Sequence, residues 1–385
     1  MSARRAKVVV APNSFKESLG ACRAAAAMSR AVRVAWPEAD VVERPLADGG
    51  DGTMEVLVSA TGGRRMTVSV LDPLGRPIES AWGILGDRVT GIVEMAQASG
   101  LALLSEGERD PWNTSTEGTG QIILKALDEG IRTLILGIGG SATHDAGMGI
   151  AHALGARFLD DQGRPLAPAG RNLERVCSLD LSGLDPRLKE TRITVACDVD
   201  NPLYGPSGAA YVYARQKGAS LEVTRRLDQG TKRWCEVVEG TLGMSLSLLP
   251  GAGAAGGTAA GLVAFLGARL RPGVEMVMDA YDLDDDLKGA CLGLTGEGRL
   301  DDQTLRGKAP ILFAERARNM NVPVVAIAGS VRGPMASFRQ RGMTACFSLT
   351  PGPMDLQYCK EHADILMSQV TEEVIRLFKR SYWTS

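Results

Sequence analysis

Short apolar runs alternate with longer amphipathic stretches at both ends of this sequence. The runs at 7–11, 291–295, 323–328 and 343–349 are dominated by small and branched apolar residues, the pattern of buried strands, and 40–44 reads as a further strand. The stretches from Ser14 to Trp36, Thr53 to Ala60, Ala309 to Asn319 and Ala363 to Lys379 predict helices. Ser14 and Glu17 have the spacing of a capping box and predict the start of the first helix. Strands alternating with helices predict an α/β fold with a parallel sheet. Its halves lie at the two ends of the sequence.

The middle reads differently. Thr67 to Val70, the turn Asp72-Pro-Leu-Gly75, Glu79 to Ile84 and Gly91 to Met95 predict antiparallel hairpins. Thr114 and Glu117 form a second capping-box pattern, for a helix reaching Glu129. Strands follow at Thr133–Leu136 and Ile193–Cys197, and a helix at Leu221–Leu242. The expected organisation is one domain from 1–65 and 289–385, with a mixed α/β domain at 66–288 inserted in it. No internal repeat interrupts it.

Composition narrows the function. A chain of 385 residues is long for one core, so two domains are expected, and 44% apolar content fits a soluble globular protein. The net charge of −2 and the absence of a basic stretch argue against nucleic acid as a partner. No apolar span of 18 residues argues for a membrane helix, and no leader pattern precedes the first strand. Seven cysteines without a CxxC spacing read as buried thiols in a reducing compartment, so the expected location is the cytoplasm. With 46 glycines and only 5% aromatics, the chain suits tight turns around small polar ligands. The reading leaves room for a homodimer.

Chemistry collects where strands hand over to helices. The richest such segment is Leu294-Thr-Gly-Glu-Gly-Arg-Leu-Asp-Asp-Gln-Thr304, followed by Gly307-Lys308. Gly296 and Gly298 would let backbone approach a ligand, beside Glu297, Arg299, Asp301 and Asp302. Carboxylates that hold Mg²⁺ or take a proton, cations that neutralise phosphate, and free amides are what phosphoryl transfer requires. Lys16 is expected in the first helical turn, where a cation opposes the helix dipole unless an anion binds there. Asp48 and Asp51 flank two glycines; one acid suffices as a cap, which leaves Asp48 for metal or proton transfer. Asp198 ends a strand.

Gly137-Ile-Gly-Gly-Ser-Ala142 and Gly251-Ala-Gly-Ala-Ala-Gly256 each match a relaxed dinucleotide fingerprint, and Asp160 stands near the distance of a ribose acid. This supports a rival reading, an NAD-linked oxidoreductase of a small hydroxy acid. Against it, Ser141, Thr143 and Asp145 add polar groups where a fingerprint wants small residues, which fits a phosphate- or carboxylate-binding loop better. Tight helix packing is the simpler account of most glycines in the second segment. His144 has no partner spacing for a metal and reads as structural. No Walker-type P-loop occurs, since Gly307-Lys308 is followed by Ala309.

Five segments in order, Ala11–Ser18, Pro45–Thr53, Gly137–Asp145, Ala196–Leu203 and Thr295–Thr304, resemble the motifs of the bacterial glycerate kinases of the glyoxylate and glucarate pathways. The resemblance spans nearly the whole chain. It implies ATP-dependent phosphorylation of D-glycerate with Mg²⁺, giving the 2-phosphate or, as for some members, the 3-phosphate. It also implies a flavodoxin-like domain with an inserted second α/β domain. Asn13 stands where the family usually has Asp, so no metal role is expected of it. His144 and Ala146 stand where it usually has Asn and Gly, which weakens the expectation of a positive φ at 146.

On this resemblance the catalytic residues are expected to be Asp198, as first choice of base, Asp48 and Lys16. Arg299, Ser14 and Ser141 would contact substrate, Arg299 or Lys16 pairing its carboxylate. The nucleotide phosphates would lie on Gly139 and Gly140 or on Gly296 and Gly298, near Lys308. The metal would be held through Asp48, Asp198, Asp301 or Glu297. A sensor of small sugar acids without catalysis is a further rival, though clustered acids serve an anion sensor poorly.

Overall fold

The computed structural model describes residues 6–15, 18–50 and 52–382. Lys16, Glu17 and Asp51 lie outside the described residues. The chain forms two compact units, one running to Asp48 and resuming at Val274, the other Gly49–Gly273.

In the first unit a five-stranded sheet has the spatial order Ala345–Ser348, Val324–Ala328, Leu292–Thr295, Lys7–Val10, Asp40–Glu43. Every neighbouring pair is parallel. Read from the opposite edge, in chain order this is second, first, third, fourth, fifth: the flavodoxin arrangement, with its reversal between the first and third strands. Val8, Val9, Val10, Leu292 and Leu294 are fully buried, as strands covered on both faces must be. Helices Ala21–Ala35 and Ala363–Tyr382 share one apolar cluster with Val8, Val10, Leu292 and Leu294, through Ala24, Met28, Val32, Met367 and Ile375.

The first helix starts later than its capping-box pattern predicts. Phe15 and Leu19 exchange backbone hydrogen bonds of 2.7 and 2.9 Å in a tight turn, so the helix begins at Ala21 behind Gly20. Gly20, not Ser14, stands at the helix N-cap, and the Ser14 amide donates to Asn13 Oδ1 at 2.7 Å. The 114–117 pattern fails likewise. Helix Glu117–Asp128 has Thr116 at its N-cap without a side-chain cap, and Thr114 donates to the Ala142 carbonyl instead.

The second unit carries a six-stranded mixed sheet in the order Arg269–Arg271, Arg192–Ala196, Thr133–Gly137, Thr90–Glu94, Pro77–Ile84, Arg64–Leu71. The hairpin strands are antiparallel and the other pairs parallel. The division falls at 48/49 and 273/274 rather than near 65 and 288. Helix Thr53–Thr61 goes with the second unit because the Met54 amide donates to buried Glu94 at 2.7 Å. The segment after Gly273 goes with the first, where Tyr281 donates to the Pro45 carbonyl at 2.8 Å and Asp286 pairs with Arg44 at 2.6 Å. No helix among the described residues is long and apolar enough to cross a membrane.

Candidate active site

At the reversal point of the first sheet the chain segments leaving three strands are tied together. Ala11 donates to the Leu294 carbonyl at 2.7 Å, Asn13 to Gly296 at 2.8 Å and Leu46 to Pro12 at 2.8 Å. The Thr295 hydroxyl returns a bond to the Ala11 carbonyl at 2.8 Å. In sheets of this order the crevice outside the carboxyl ends at the reversal point is where ligands bind. The segment ending in exposed Asp48 and the loop Gly296–Gly298 both emerge there. Gly296 is a packing glycine rather than a ligand-approach glycine, because a Cβ would stand 2.0 Å from the Ile327 carbonyl oxygen.

Glu297, only 7% exposed, accepts a short bond from the buried Thr304 hydroxyl. Burial pushes its carboxyl above the ordinary range, against the Thr304 bond and the Lys308 charge; the charges of Asp301 and Asp48 push it further up. Glu297 thus feels the charges of Asp48, Asp301 and Lys308. Asp301 Oδ1 accepts from the amides of Gln303 (2.9 Å) and Thr304 (3.3 Å), and Oδ2 pairs with Arg299 at 2.8 Å. Burial opposes ionisation of Asp301, but those amides and the Arg299 and Lys308 charges outweigh it and hold the carboxyl low. Arg299, 53% exposed, is thus an ion-paired cation. Exposed Lys308 stands at the N-cap of helix Ala309–Asn319, 3.4 Å from Gln303 Oε1. Among the described residues no three His, Cys, Asp or Glu side chains form a ready metal cluster.

The second unit presents its own polar loop, from Gly137 to Asp145. A dinucleotide fingerprint needs a helix at its end, but the next helix is Met148–Ala153 behind Gly147. Asp160 closes the turn to Arg164 and pairs with Arg164 and Arg175 at 2.9 and 3.7 Å. Its strand, Arg157–Leu159, pairs antiparallel with Ser178–Asp180 in a separate sheet, so no βαβ unit exists there. In the second glycine-rich segment a Cβ on Gly253 or Gly256 would meet the carbonyl oxygens of Pro202 and Thr143 at 2.2 and 2.3 Å, as close packing requires.

Asp145 is fully buried. Its Oδ2 accepts from the Thr116 amide and hydroxyl (both 2.8 Å) and the Gly149 amide (3.1 Å), and its Oδ1 from the Gly147 amide (3.1 Å). Ala146 keeps a positive φ of 52° despite its side chain. Gly140 is exposed, and Gly139 half-buried, at the loop's turn. His144 is buried on the Thr231 hydroxyl at 3.0 Å, and burial with the Lys217 charge pushes it down to about 3, a structural neutral histidine.

Sequence reasoning missed Lys217. It is 2% exposed and its ammonium donates to Ser141 Oγ and the Thr143 carbonyl, both at 2.7 Å. Burial pushes it down to about 7, against the pull of Asp145. Ser141 therefore accepts from a buried lysine, which orients its hydroxyl proton elsewhere. Asp198 is exposed at the end of strand Arg192–Ala196, its Oδ1 accepting from Gly273 at 2.9 Å. Gly49 packs onto the same strand end: its φ is +81° and a Cβ would stand 2.3 Å from Ala196 Cβ.

A family model described as the glycerate kinase family matches residues 8–379. The chain belongs to the glycerate kinase family. It is 46% identical to the glycerate kinase of Halalkalibacterium halodurans over 95% of this chain and 97% of that one. It is 45% identical to the glycerate 2-kinase of Escherichia coli, over 89% and 90% of the two chains. A crystal structure of a candidate glycerate kinase 2 from Salmonella typhimurium LT2 superposes with a TM-score of 0.90 at 43% identity, covering 99% of this chain and all of that one. The strand-end segments thus pointed to the right family, and this family member is a kinase.

Proposed function

We propose that this kinase transfers the γ-phosphoryl group of ATP to D-glycerate, giving 2-phosphoglycerate. The observation that carries the reading is buried Glu297, within reach of the charges of Asp48, Asp301 and Lys308, at the reversal point of a parallel sheet. The name of the Escherichia coli relative, a glycerate 2-kinase, supports the 2-position.

The donor set fits Mg²⁺, which needs only one or two carboxylates beside waters and phosphate oxygens. Asp48, Glu297 and Asp301 would hold it; a carboxyl raised by burial and by neighbouring acids gains from a cation. When bound, the ion neutralises charge on the phosphates. Lys308 meets phosphate oxygens as a point charge. Gly139, Gly140 and Gly298 offer backbone amides to phosphate or carboxylate. Lys16, or Arg299 if it exchanges its Asp301 partner for the substrate, pairs the glycerate carboxylate, with the Ser14 and Ser141 hydroxyls as further contacts. Asp198, exposed at its strand end, accepts the hydroxyl proton; Asp48 is the second choice. The new O–P bond forms as the bond from the γ-phosphorus to the β,γ-bridging oxygen breaks, and ADP leaves.

The test is ADP formation with Mg²⁺, ATP and D-glycerate, read by phosphorus NMR against L-glycerate, glycolate and no acid. A 2-phosphoglycerate resonance with D-glycerate alone is expected. A 3-phosphoglycerate resonance would overturn the regiochemistry, and absence of ADP would overturn the reading.

A further inference from the structure

A cavity of about 240 Å³ opens in the first unit beside the loop that carries Glu297. Its lining includes Gly298 and Gly329, which follow the third and fourth strands of the sheet in chain order, and Leu349 and Thr350, which follow the fifth. The two glycines pack closely: a Cβ on Gly329 would stand 2.6 Å from the Gly298 carbonyl oxygen. The lining is also continuous with the acidic loop, since Gly329 donates to the Glu297 carbonyl at 3.3 Å and Ser330 to Gly298 at 3.2 Å.

The lining is apolar through Phe15, Leu349, Met354 and Leu356, with hydroxyls from Ser330 and Thr350. Among the described lining residues there is one cation, Lys360, and no acid. Such a surface suits neither glycerate nor a triphosphate, both of which want several cations or a metal. At the mouth Met354 and Leu356 are 39% and 68% exposed, so apolar side chains there stand in water. Drug-sized ligands fill about 300–1,000 Å³, so this smaller volume suits a single heterocycle whose polar remainder lies outside.

We propose that this cavity is the nucleobase pocket, taking the adenine ring of ATP against Gly298 and Gly329 with its triphosphate leading to Glu297, Asp301 and Lys308. The inference rests on the kinase reading and names where its nucleotide sits. Apolar contact with Leu356 and Met354 holds the faces of the ring, and the hydroxyls of Ser330 and Thr350 meet its polar edge.

The experiment uses Leu356→Asp, whose exposed position spares the fold, beside Ser330→Trp, which fills the cavity. Leu248→Asp, at a residue 82% exposed in the other unit, is the control. Leu356→Asp is expected to raise KM for ATP and Kd for ADP about tenfold, equivalent to about 1.4 kcal/mol. KM for glycerate and inhibition by inorganic triphosphate, which has no base, should change less than about twofold on the same scale. Nucleotide affinity unchanged in both pocket variants would overturn the pocket, as would equal weakening of ADP and inorganic triphosphate. Wild-type turnover separates the two claims: an active wild type with unaltered variants removes only the pocket. A wild type that makes no ADP removes the kinase reading, and ADP calorimetry then still tests the cavity.

Discussion

Replacing Asp145 with asparagine tests whether the Gly137–Asp145 loop is held by a charge. All three backbone groups that bond this carboxyl are obligate donors, and the Thr116 hydroxyl donates too. A protonated carboxyl or an amide would have no acceptor for its own hydrogen, so geometry favours the ion even though burial pushes Asp145 up. Asparagine can place its oxygen at Oδ2 and satisfy Thr116 and Gly149. Its NH₂ then faces the Gly147 amide, and one buried donor left unpaired costs about 1–3 kcal/mol. The remaining bonds pass from a charged to a neutral acceptor, roughly halving their strength. Lys217, already pushed down to about 7, loses the negative charge that favours its ammonium. The sum is a destabilisation of about 3–4 kcal/mol, mostly from the orphaned amide and the weakened bonds. At about 2–4 °C per kcal/mol for a domain of this size, the melting temperature of the second unit should fall by roughly 10 °C. Scanning calorimetry can follow each unit separately, and Thr116→Val should couple to Asp145→Asn rather than add to it. A variant melting within about 2 °C of the wild type on that scale would refute the argument, because the carboxyl would then already be neutral in the fold.

Glu297→Gln separates stability from catalysis. The folded carboxyl is raised, so the wild type is favoured below the ordinary glutamate range and loses stability as pH rises through and above it. The glutamine variant, which can still accept from Thr304, should be at least as stable at pH 7 and lack that slope in denaturant titrations, while turnover falls sharply. Lower stability than wild type at pH 7 would contradict this. Asp198→Asn keeps an acceptor for Gly273 and should lose about 10²–10⁴-fold in kcat with KM for glycerate little changed; near-native turnover would remove it as the base. Gly296→Ala must displace the Ile327 carbonyl and should cost about 1–3 kcal/mol in urea unfolding. Gly205→Ala, with nothing within 4 Å of a Cβ, should cost only the strain of its positive φ, and equal losses would contradict the packing argument.

What the sequence made legible were the elements whose pattern is local. Strands Lys7–Val10, Leu292–Thr295 and Val324–Ala328 of the first sheet are nearly continuous apolar runs, and helices Leu221–Leu242 and Ala309–Asn319 have the bounds their patterns predict. The first helix was misread because Ser14 and Glu17 fit a capping box while the Phe15–Leu19 backbone pairing, invisible in residue types, took that stretch first. The unit boundary moved because the Met54 amide finds Glu94, a contact that no composition change announces. Lys217 could not be found from sequence: in an Arg- and Lys-bearing loop it looks like any solvated lysine, and only the fold buries it on Ser141. Arg299 looked like a cation awaiting an anion, yet Asp301, two residues away, occupies it. Acids, cations and glycines at strand ends marked the region; which of them pair with each other is decided in three dimensions.

The split sheet also governs the order in which this protein can be made. The first strand, Lys7–Val10, has Leu292–Thr295 and Asp40–Glu43 as its neighbours. At about 5–20 residues per second a ribosome needs roughly 15–60 s to travel from one central strand to the other. During that interval Gly49–Gly273 is synthesised as one uninterrupted unit and can complete its own sheet. The fully buried Val8, Val9 and Val10 must meanwhile wait with only one possible partner strand. Synthesis of this chain therefore has a built-in hydrophobic pause, during which a holding chaperone has something to grip. Slowing translation downstream of the inserted unit should lengthen that exposure without altering the finished enzyme.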